Sequence, residues 1–194
     1  MKKWIAAILV LAMALSMLAA CGAKNDTPAA DAPADAPVEV PGSALEILEK
    51  TWALYGDDEK FPVMGGDANN MVDGAPGVFG LEDGEMATYQ LLVPADQLAN
   101  IDQAASLFHG MMLNNFTCGV FHVTGNASDF AAAMVEAVKN NQWMCGMPET
   151  MLVGIIGGEY VVMAFGINDA MTPFEAKLAQ AYPAMETVAN EPVV

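Results

Sequence analysis

Sulfur-containing side chains are concentrated in two short segments of this sequence. Thioether and thiolate groups prefer soft cations such as Cu(I), so side chains of this type can form a soft-metal site. The candidate ligands are Met144, Cys145, Met147, His109, Met111 and Met112. The competing interpretation is that the methionines fill an irregular core or an apolar interaction surface.

Clustered carboxylates are a second source of chemistry. Asp67 and Asp73 bound a short polar segment, and Glu85 closes the acidic run 82–85. Two carboxylates at a set separation in a cleft could hydrolyse a glycoside, and hard oxygen ligands suit Ca²⁺. Segment 67–73 lacks the glycine and the distal glutamate of an EF-hand loop. Solvated acidic loops are therefore the competing interpretation.

Cysteine and histidine are too sparse to predict a nucleophilic centre. Cys118 and His122 share one face of a predicted strand, but four residues of strand separate their Cα atoms by about 13 Å, too far for activation of the thiol. Cys118 and Cys145 could form a disulfide in an exported protein, and two free buried thiols are the alternative. The sequence has no nucleophile-elbow, zinc-protease, phosphate-loop or dinucleotide motif, so we predict no catalytic residue.

The charge of the chain excludes one class of partner. The formal net charge is −17, and lysine and arginine together number 7. Binding to nucleic acid needs a basic patch that neutralises phosphates, so no nucleic-acid partner is expected.

Several elements must position these residues. Ser43 and Glu46 form a predicted capping box that opens a helix. Segment 86–93 alternates as a strand does, and the apolar spacing from Leu98 to Met112 predicts a helix capped by Asp96. Segment 56–85 has no period and is interpreted as a long loop.

The second half of the chain has clearer signals. Segment 117–123 is a predicted strand, and Asn126 or Ser128 caps a helix that ends near residue 140. Gly157-Gly158 joins two apolar strands as a hairpin, and a capping box at 172–175 opens the last helix. The hairpin strands are apolar on both faces, which indicates either central strands or a face covered by a partner. Together these elements predict an α+β domain over residues 43–190, a two-layer sandwich with helices packed on a mostly antiparallel sheet of about four strands, ending in the hairpin and a final helix.

The first residues form an export leader. Lys2 and Lys3 precede an apolar run, which ends in Leu18-Ala19-Ala20-Cys21. This leader resembles the lipobox signal of bacterial lipoproteins. The resemblance implies that residues 1–20 are a signal peptide, cleaved between Ala20 and Cys21, and that lipid (palmitate included) is attached at Cys21. Residues 21–42, rich in Pro, Ala and Asp, are then expected to be a tether.

The mature domain also resembles a family of Gram-positive lipoproteins whose activity is unassigned. The similarity covers Asn114–Phe174, with its strand, helix and Gly-Gly-Glu-Tyr-Val-Val-Met-Ala-Phe hairpin strand. Its motifs are structural and assign no catalytic residue. We therefore expect a non-catalytic binding or interaction module on the outer face of the cell membrane, held there by its lipid anchor, with no cofactor beyond the lipid on Cys21. An envelope protein or a small ligand is the expected partner; the alternatives are a Cu(I)- or Ca²⁺-binding lipoprotein and a hydrolase acting through carboxylates.

Overall fold

A computed structural model describes residues 40–193 of the chain. The predicted cleavage site between Ala20 and Cys21 and nearly all of the predicted tether lie outside these residues. No helix among residues 40–193 has both the length and the apolar character needed to cross a bilayer.

The described residues form one antiparallel sheet and four α-helices. The strands, in chain order, are β1 (Val63–Gly65), β2 (Val72–Asp73), β3 (Gly77–Val78), β4 (Ile101–His109), β5 (Phe116–Val123), β6 (Thr150–Ile156), β7 (Tyr160–Gly166) and β8 (Glu186–Pro192). The helices are α1 (Ala44–Trp52), α2 (Gly84–Gln90), α3 (Ala127–Lys139) and α4 (Asn168–Ala181). The spatial order of the strands is β2-β1-β4-β5-β7-β6-β8, and β3 also pairs with β4.

Helices cover both faces of this sheet. Side chains of α1 and α4 pack on one face, together with alternate residues of β4 and β5 such as Leu107 and Cys118. Side chains of α3 and residues around α2 pack on the other face, together with Phe121 and Phe165. The α+β class is therefore correct, but the prediction of a two-layer sandwich with about four strands is wrong, because the sheet has eight strands between two helical layers.

The two apolar faces of the predicted hairpin are explained by this arrangement. Strands β6 and β7 form the hairpin around Gly157 and Gly158, whose φ angles are 63° and 80°. Strand β7 lies between β5 and β6, and β6 lies between β7 and β8. Both strands are buried along almost their whole length by helices of the same chain. The central-strand interpretation is confirmed, and these two strands offer no exposed apolar face to a partner.

Two predicted elements around residues 86–112 are wrong. The predicted strand 86–93 begins as α2, because the Asp83 carboxylate accepts hydrogen bonds from the backbone N–H groups of Glu85 and Met86. The predicted helix that begins at Asp96 is a 3-10 turn (Ala95–Asn100) followed by β4. Residues 104–108 are all buried, as expected for a central strand with both faces covered. A short run of this kind has no period that distinguishes a central strand from a buried helix.

The strands at the two edges of the sheet were also missed. Segment 56–85, predicted as a loop, contributes the short strands β1, β2 and β3. At the other edge β8 extends beyond the predicted domain limit of residue 190, and Val193 is buried. Strands of two or three residues are too short to show a hydrophobic period, and β8 is mostly exposed. The neighbouring strand therefore determines how these strands pair.

The helix caps are partly confirmed. Ser43 Oγ accepts a hydrogen bond from the N–H of Glu46, and a Glu46 carboxylate oxygen accepts one from Gly42 N–H. Asn126 caps α3 as predicted. The capping box at 172–175 is wrong, because α4 begins at Asn168 and contains Pro173. There a Glu149 carboxylate oxygen accepts from the N–H of Asn168 at 2.7 Å and satisfies one of the first amides of the helix.

Candidate functional site

A cleft of ≈ 1080 Å³ opens on the face of the sheet that carries α3. One wall is α2 with the 3-10 turn that follows it. The other wall combines the β4–β5 connection around Leu113 with the loop between α3 and β6. Phe165 of β7 also lines it. A volume at the upper end of the usual range for ligand sites makes this cleft the main candidate binding site of the described residues.

The wall formed by α2 is fixed by its two ends. Asp83 caps the beginning of the helix. After the helix, Leu92 takes a left-handed φ of 55°, between the fully buried Leu91 and Val93. A non-glycine residue in this conformation persists only where its surroundings determine it, and here the two buried neighbours anchor the backbone on the sheet.

The opposite wall is fixed by one side chain. The Asn114 amide nitrogen donates hydrogen bonds to the carbonyl oxygens of Met144 and Gly146, both at 2.7 Å. Between them Cys145 has a left-handed φ of 62°, and Gly146 has a φ of 116°. These two bonds join segments 30 and 32 residues apart in sequence and hold the loop beside the β4–β5 connection.

Two buried hydrogen-bond donors of the cleft lining have no partner. The Gln90 side chain is 8% exposed, and its amide nitrogen makes no hydrogen bond among the described residues. The indole nitrogen of Trp143 is also buried and unpaired there, while its ring packs edge-on against Phe165 at 4.8 Å between centroids. A buried donor without an acceptor raises the free energy of the folded protein by about 1–3 kcal/mol. A ligand that brings an acceptor to either nitrogen would remove this cost.

The charge of the lining has one sign. Glu82, Asp83 and Glu85 lie on the α2 side of the cleft, and no lysine, arginine or histidine is among its lining residues. Together with the net charge of −17, this arrangement disfavours an anionic ligand.

The structure brings together only half of the predicted soft-metal ligands. Met112, Met144 and Cys145 line the cleft. Met111 and Met147 are exposed but do not belong to its lining.

His109 is separated from these sulfurs by its position on β4. Its ring stacks on Phe61, a residue packed against the α1/α4 face, at 6.1 Å between centroids. Its Nδ1 accepts hydrogen bonds from the N–H groups of Met111 and Met112, at 3.2 and 3.4 Å. These bonds shape the start of the β4–β5 connection and occupy one of the two ring nitrogens that could bind a metal.

The two cysteines of the described residues are both free. Cys118 is fully buried on the α1/α4 face of the sheet, where burial raises the pKa of its thiol well above the ordinary value. Cys145 is exposed in the cleft, which lies on the opposite face. The sheet therefore separates the two thiols, and the structure does not form the disulfide that we considered.

His122 is engaged by carboxylates rather than by Cys118. Its Nδ1 lies 2.5 Å from an Asp102 carboxylate oxygen, and its Nε2 lies 3.9 Å from an oxygen of Glu159. Its ring also contacts Tyr160, with 4.9 Å between centroids. The geometry therefore places the imidazole between two carboxylates and the Tyr160 ring.

The predicted catalytic or calcium-binding carboxylates occupy different environments. Asp67 is buried and accepts hydrogen bonds from the N–H groups of Gly80 at 2.6 Å and Asn69 at 2.7 Å. Burial alone would raise the pKa of this carboxyl, but these bonds and those from Asn70 outweigh it and hold the pKa below its ordinary value. Asp73 and Glu85 are exposed. Within residues 40–193, no three His, Cys, Asp or Glu side chains are grouped so as to hold a metal ion.

Sequence reasoning missed Gln90, Asn114 and Trp143. Trp143 had a usable signal, because a large aromatic side chain between Asn140-Asn141-Gln142 and a methionine-rich segment is out of place in a solvated loop. Gln90 and Asn114 had none, since their roles depend on partners, or on the lack of them, distant in sequence.

Residues 40–193 form an α+β domain with an aromatic- and methionine-lined cleft of acidic character. No family model, no curated protein and no solved structure matches this chain. Its function must therefore be inferred from the leader sequence and from the geometry of the cleft.

Proposed function

We propose that this protein is a lipid-anchored binding module on the outer face of a Gram-positive cell membrane, and that its cleft binds extended, partly apolar peptide segments that are neutral or cationic. The leader ending in Leu18-Ala19-Ala20-Cys21 supports the anchor. Lipid on Cys21 would supply stable attachment, because each buried methylene contributes about 0.8 kcal/mol.

The unpaired donors of Gln90 and Trp143 are the observation that carries the binding proposal. Peptide carbonyl oxygens are strong acceptors spaced regularly along a chain, so a bound peptide is a suitable source of acceptors for these nitrogens. Both residues line the cleft. The apolar contact area comes from the Trp143 ring and from Tyr89, which is exposed on the rim.

The shape of the surface also favours an extended ligand. A second groove of ≈ 490 Å³ runs between α3 and the segment after α2, and it shares Thr88, Leu92 and Asn141 with the main cleft. A chain that leaves the cleft can continue along this groove. Exposed methionines adapt to different apolar side chains and therefore discriminate poorly between them. We expect the charge of the peptide and its backbone carbonyl oxygens to determine which peptides bind.

Binding is preferred to catalysis because no histidine, lysine or arginine lines the cleft with its one thiol. Cys145 lines the cleft, but neither His109 nor His122 does. An activated thiol needs such a base within hydrogen-bond reach, or a cationic neighbour that lowers its pKa.

The test is tripeptide binding by the full-length protein purified in detergent. Acetylated Phe-Lys-Phe, Phe-Gln-Phe and Phe-Glu-Phe amides differ only in the central residue. We expect affinity to fall in that order, because the rim is acidic. Gln90→Leu and Trp143→Phe should each weaken binding of Phe-Lys-Phe about tenfold, through loss of one hydrogen bond.

The control is Gln180→Leu, the same change at an exposed position of α4 on the opposite face, which should leave affinity unchanged. Gln90→Leu should not lower the midpoint of thermal unfolding, since it removes an unpaired buried donor. Binding of Phe-Glu-Phe as tight as that of Phe-Lys-Phe, or equal binding by Gln90→Leu, would exclude the proposal.

The anchor is tested separately in a Gram-positive host. We expect mass spectrometry of the membrane-bound protein to find a mature N-terminus at Cys21 carrying acyl chains. Cys21→Ser should abolish acylation and leave the leader uncleaved. If the wild-type protein is released into the medium without acyl chains and with its domain folded, the lipid anchor is contradicted. This outcome would leave the peptide test unaffected.

A further inference from the structure

Three sulfur-containing side chains from two separate segments of the chain line the cleft. Met112 comes from the β4–β5 connection, and Met144 and Cys145 come from the loop after α3. Met112 is 43% exposed and Met144 is 73% exposed, although methionine is among the residues most often fully buried. Side chains this exposed contribute little to the core, so these two methionines are available to bind a ligand.

The hydrogen bonds of Asn114 hold together the two backbone segments that carry these sulfurs. Its amide nitrogen holds the carbonyl groups on both sides of Cys145 at 2.7 Å. Met112 precedes Asn114 by two residues, so their Cα atoms are at most about 7 Å apart. Methionine has three rotatable side-chain bonds, so the thioethers of Met112 and Met144 can move toward the thiol of Cys145.

The chemistry of this set selects a soft cation. Thioethers and a thiolate are ligands for Cu(I) and bind hard divalent ions poorly. The carboxylates of Glu82, Asp83 and Glu85 give the same cleft a negative potential that favours any cation. Cys118 cannot take part, because it is buried on the other face of the sheet.

We propose that Met112, Met144 and Cys145 form a three-coordinate site for Cu(I) at this end of the cleft. On binding, the Cys145 thiol loses its proton to solvent, a copper–thiolate bond forms, and copper keeps its oxidation state. The site does not depend on peptide binding, although the two ligands share part of the lining.

The experiment is a competition for Cu(I) between the protein and bicinchoninate, with the copper kept reduced. Ag(I) in a parallel titration is a probe that cannot change its oxidation state under the same conditions. The full-length chain in detergent carries Cys21→Ser, so that Cys118 and Cys145 are its only thiols. We expect one Cu(I) or one Ag(I) bound per chain, with release of a proton when the copper–thiolate or silver–thiolate bond forms.

Matched variants separate the cleft sulfurs from other exposed methionines. Met144→Leu, Met112→Leu and Cys145→Ser should each weaken Cu(I) binding at least tenfold, whereas Met147→Leu and Met111→Leu should not change it. All five positions are exposed, so the fold should persist, as circular dichroism would verify. Failure to take Cu(I) from the competitor, or equal loss in Met147→Leu and Met144→Leu, would overturn the site.

A peptide control keeps the two proposals distinguishable. Gln90→Leu should leave the affinity for Cu(I) unchanged, because its amide is not one of the proposed ligands. A negative copper titration combined with the expected order of tripeptide affinities would remove the metal site and leave the peptide-binding proposal standing.

Discussion

The two faces of the sheet are both covered by helices, yet the α3 face leaves a cleft that contains an accessible thiol. On the α1/α4 face, aromatic rings of Trp52, Tyr55, Phe61, Phe116 and Phe174 pack against one another. On the α3 face, α3 covers the middle of the sheet, while α2 and the loop after α3 stand apart around the cleft. The sheet supplies apolar residues to both sides, so the difference comes from the covering segments.

Cys118 and Cys145 show what this difference does to identical chemistry. Cys118 lies among the packed side chains of the first face, where burial raises the pKa of its thiol. Cys145 lies on a loop in contact with solvent, in a cleft that two exposed methionines also line. The Cys145 thiol is accessible because the helices do not cover the whole α3 face of the sheet. Substitutions on each face can test this difference in accessibility.

Packing energy should differ most between the faces. Phe116 is fully buried and contacts both Phe61 and Phe174, at 5.3 and 5.0 Å between centroids. Phe116→Ala should lower the free energy of unfolding by about 3–5 kcal/mol, as expected for a buried aromatic ring. Met144→Ala on the cleft rim should change it by less than about 0.5 kcal/mol. Urea denaturation measures both, and equal losses would mean that the cleft loop belongs to the core.

Thiol reactivity should separate the two cysteines by about a thousandfold or more at pH 8, because a buried thiol reacts only after local or global opening. The reagent is Ellman's disulfide, added to the chain carrying Cys21→Ser. We expect one thiol to react quickly and the second only in denaturant. Cys145→Ser should remove the fast phase. A fast phase that survives in this variant would show that the α1/α4 face opens readily.

Local signals in the sequence were sufficient for elements whose pattern has one interpretation. The cap of α1 at Ser43, the cap of α3 at Asn126 and the Gly157-Gly158 hairpin all appear as predicted. They depend on side chains within a few residues of each other. The eight-stranded sheet could not be predicted in this way, since β1, β2 and β3 are two or three residues long.

The error at β4 has a physical cause. An apolar run of this length fits both a buried helix and a central strand, and the choice is made by neighbours in the fold. Ala105 and Ser106 of β4 pair with Val120 and Gly119 of β5, contacts that the local sequence does not encode.

The candidate site was half predictable for the same reason. Side-chain chemistry alone is enough to identify Met112, Met144 and Cys145 as soft ligands. Chemistry could not say that His109 faces the opposite side of the sheet, where it stacks on Phe61. Strand register decides the face of a side chain, and a helix was predicted where β4 lies.

The same comparison can be made between two carboxylates, because Asp67 is buried and Asp73 is exposed. Asp67→Asn should cost about 2 kcal/mol at pH 7, because the amides of Gly80 and Asn69 lose a charged acceptor. The folded-state pKa of Asp67 is lowered, so its contribution is complete above the unfolded value of about 3.9 and is lost as pH falls through the folded value.

The measurement is the free energy of unfolding from pH 7 down to pH 2. The difference between the wild-type protein and Asp67→Asn should shrink below about pH 4, as the wild-type carboxyl becomes protonated. Asp73→Asn is the control and should follow the wild-type curve. A difference that stays constant to pH 2 would mean that the hydrogen bonds, and not the charge, provide the stabilisation.

The smallest effect concerns the clamp that defines the open face. Asn114→Ala removes two exposed hydrogen bonds to the loop and should lower global stability by about 1 kcal/mol or less. Amide hydrogen exchange in residues 143–147 should nevertheless accelerate, because the loop loses its main tie. Asn190→Ala, which removes an exposed bond to Glu175 elsewhere, is the matched control and should leave exchange in that loop unchanged. If the loop exchanges equally in both variants, the cleft wall is held by packing of Trp143 on Phe165, and the spacing of Met112 and Cys145 must be set there.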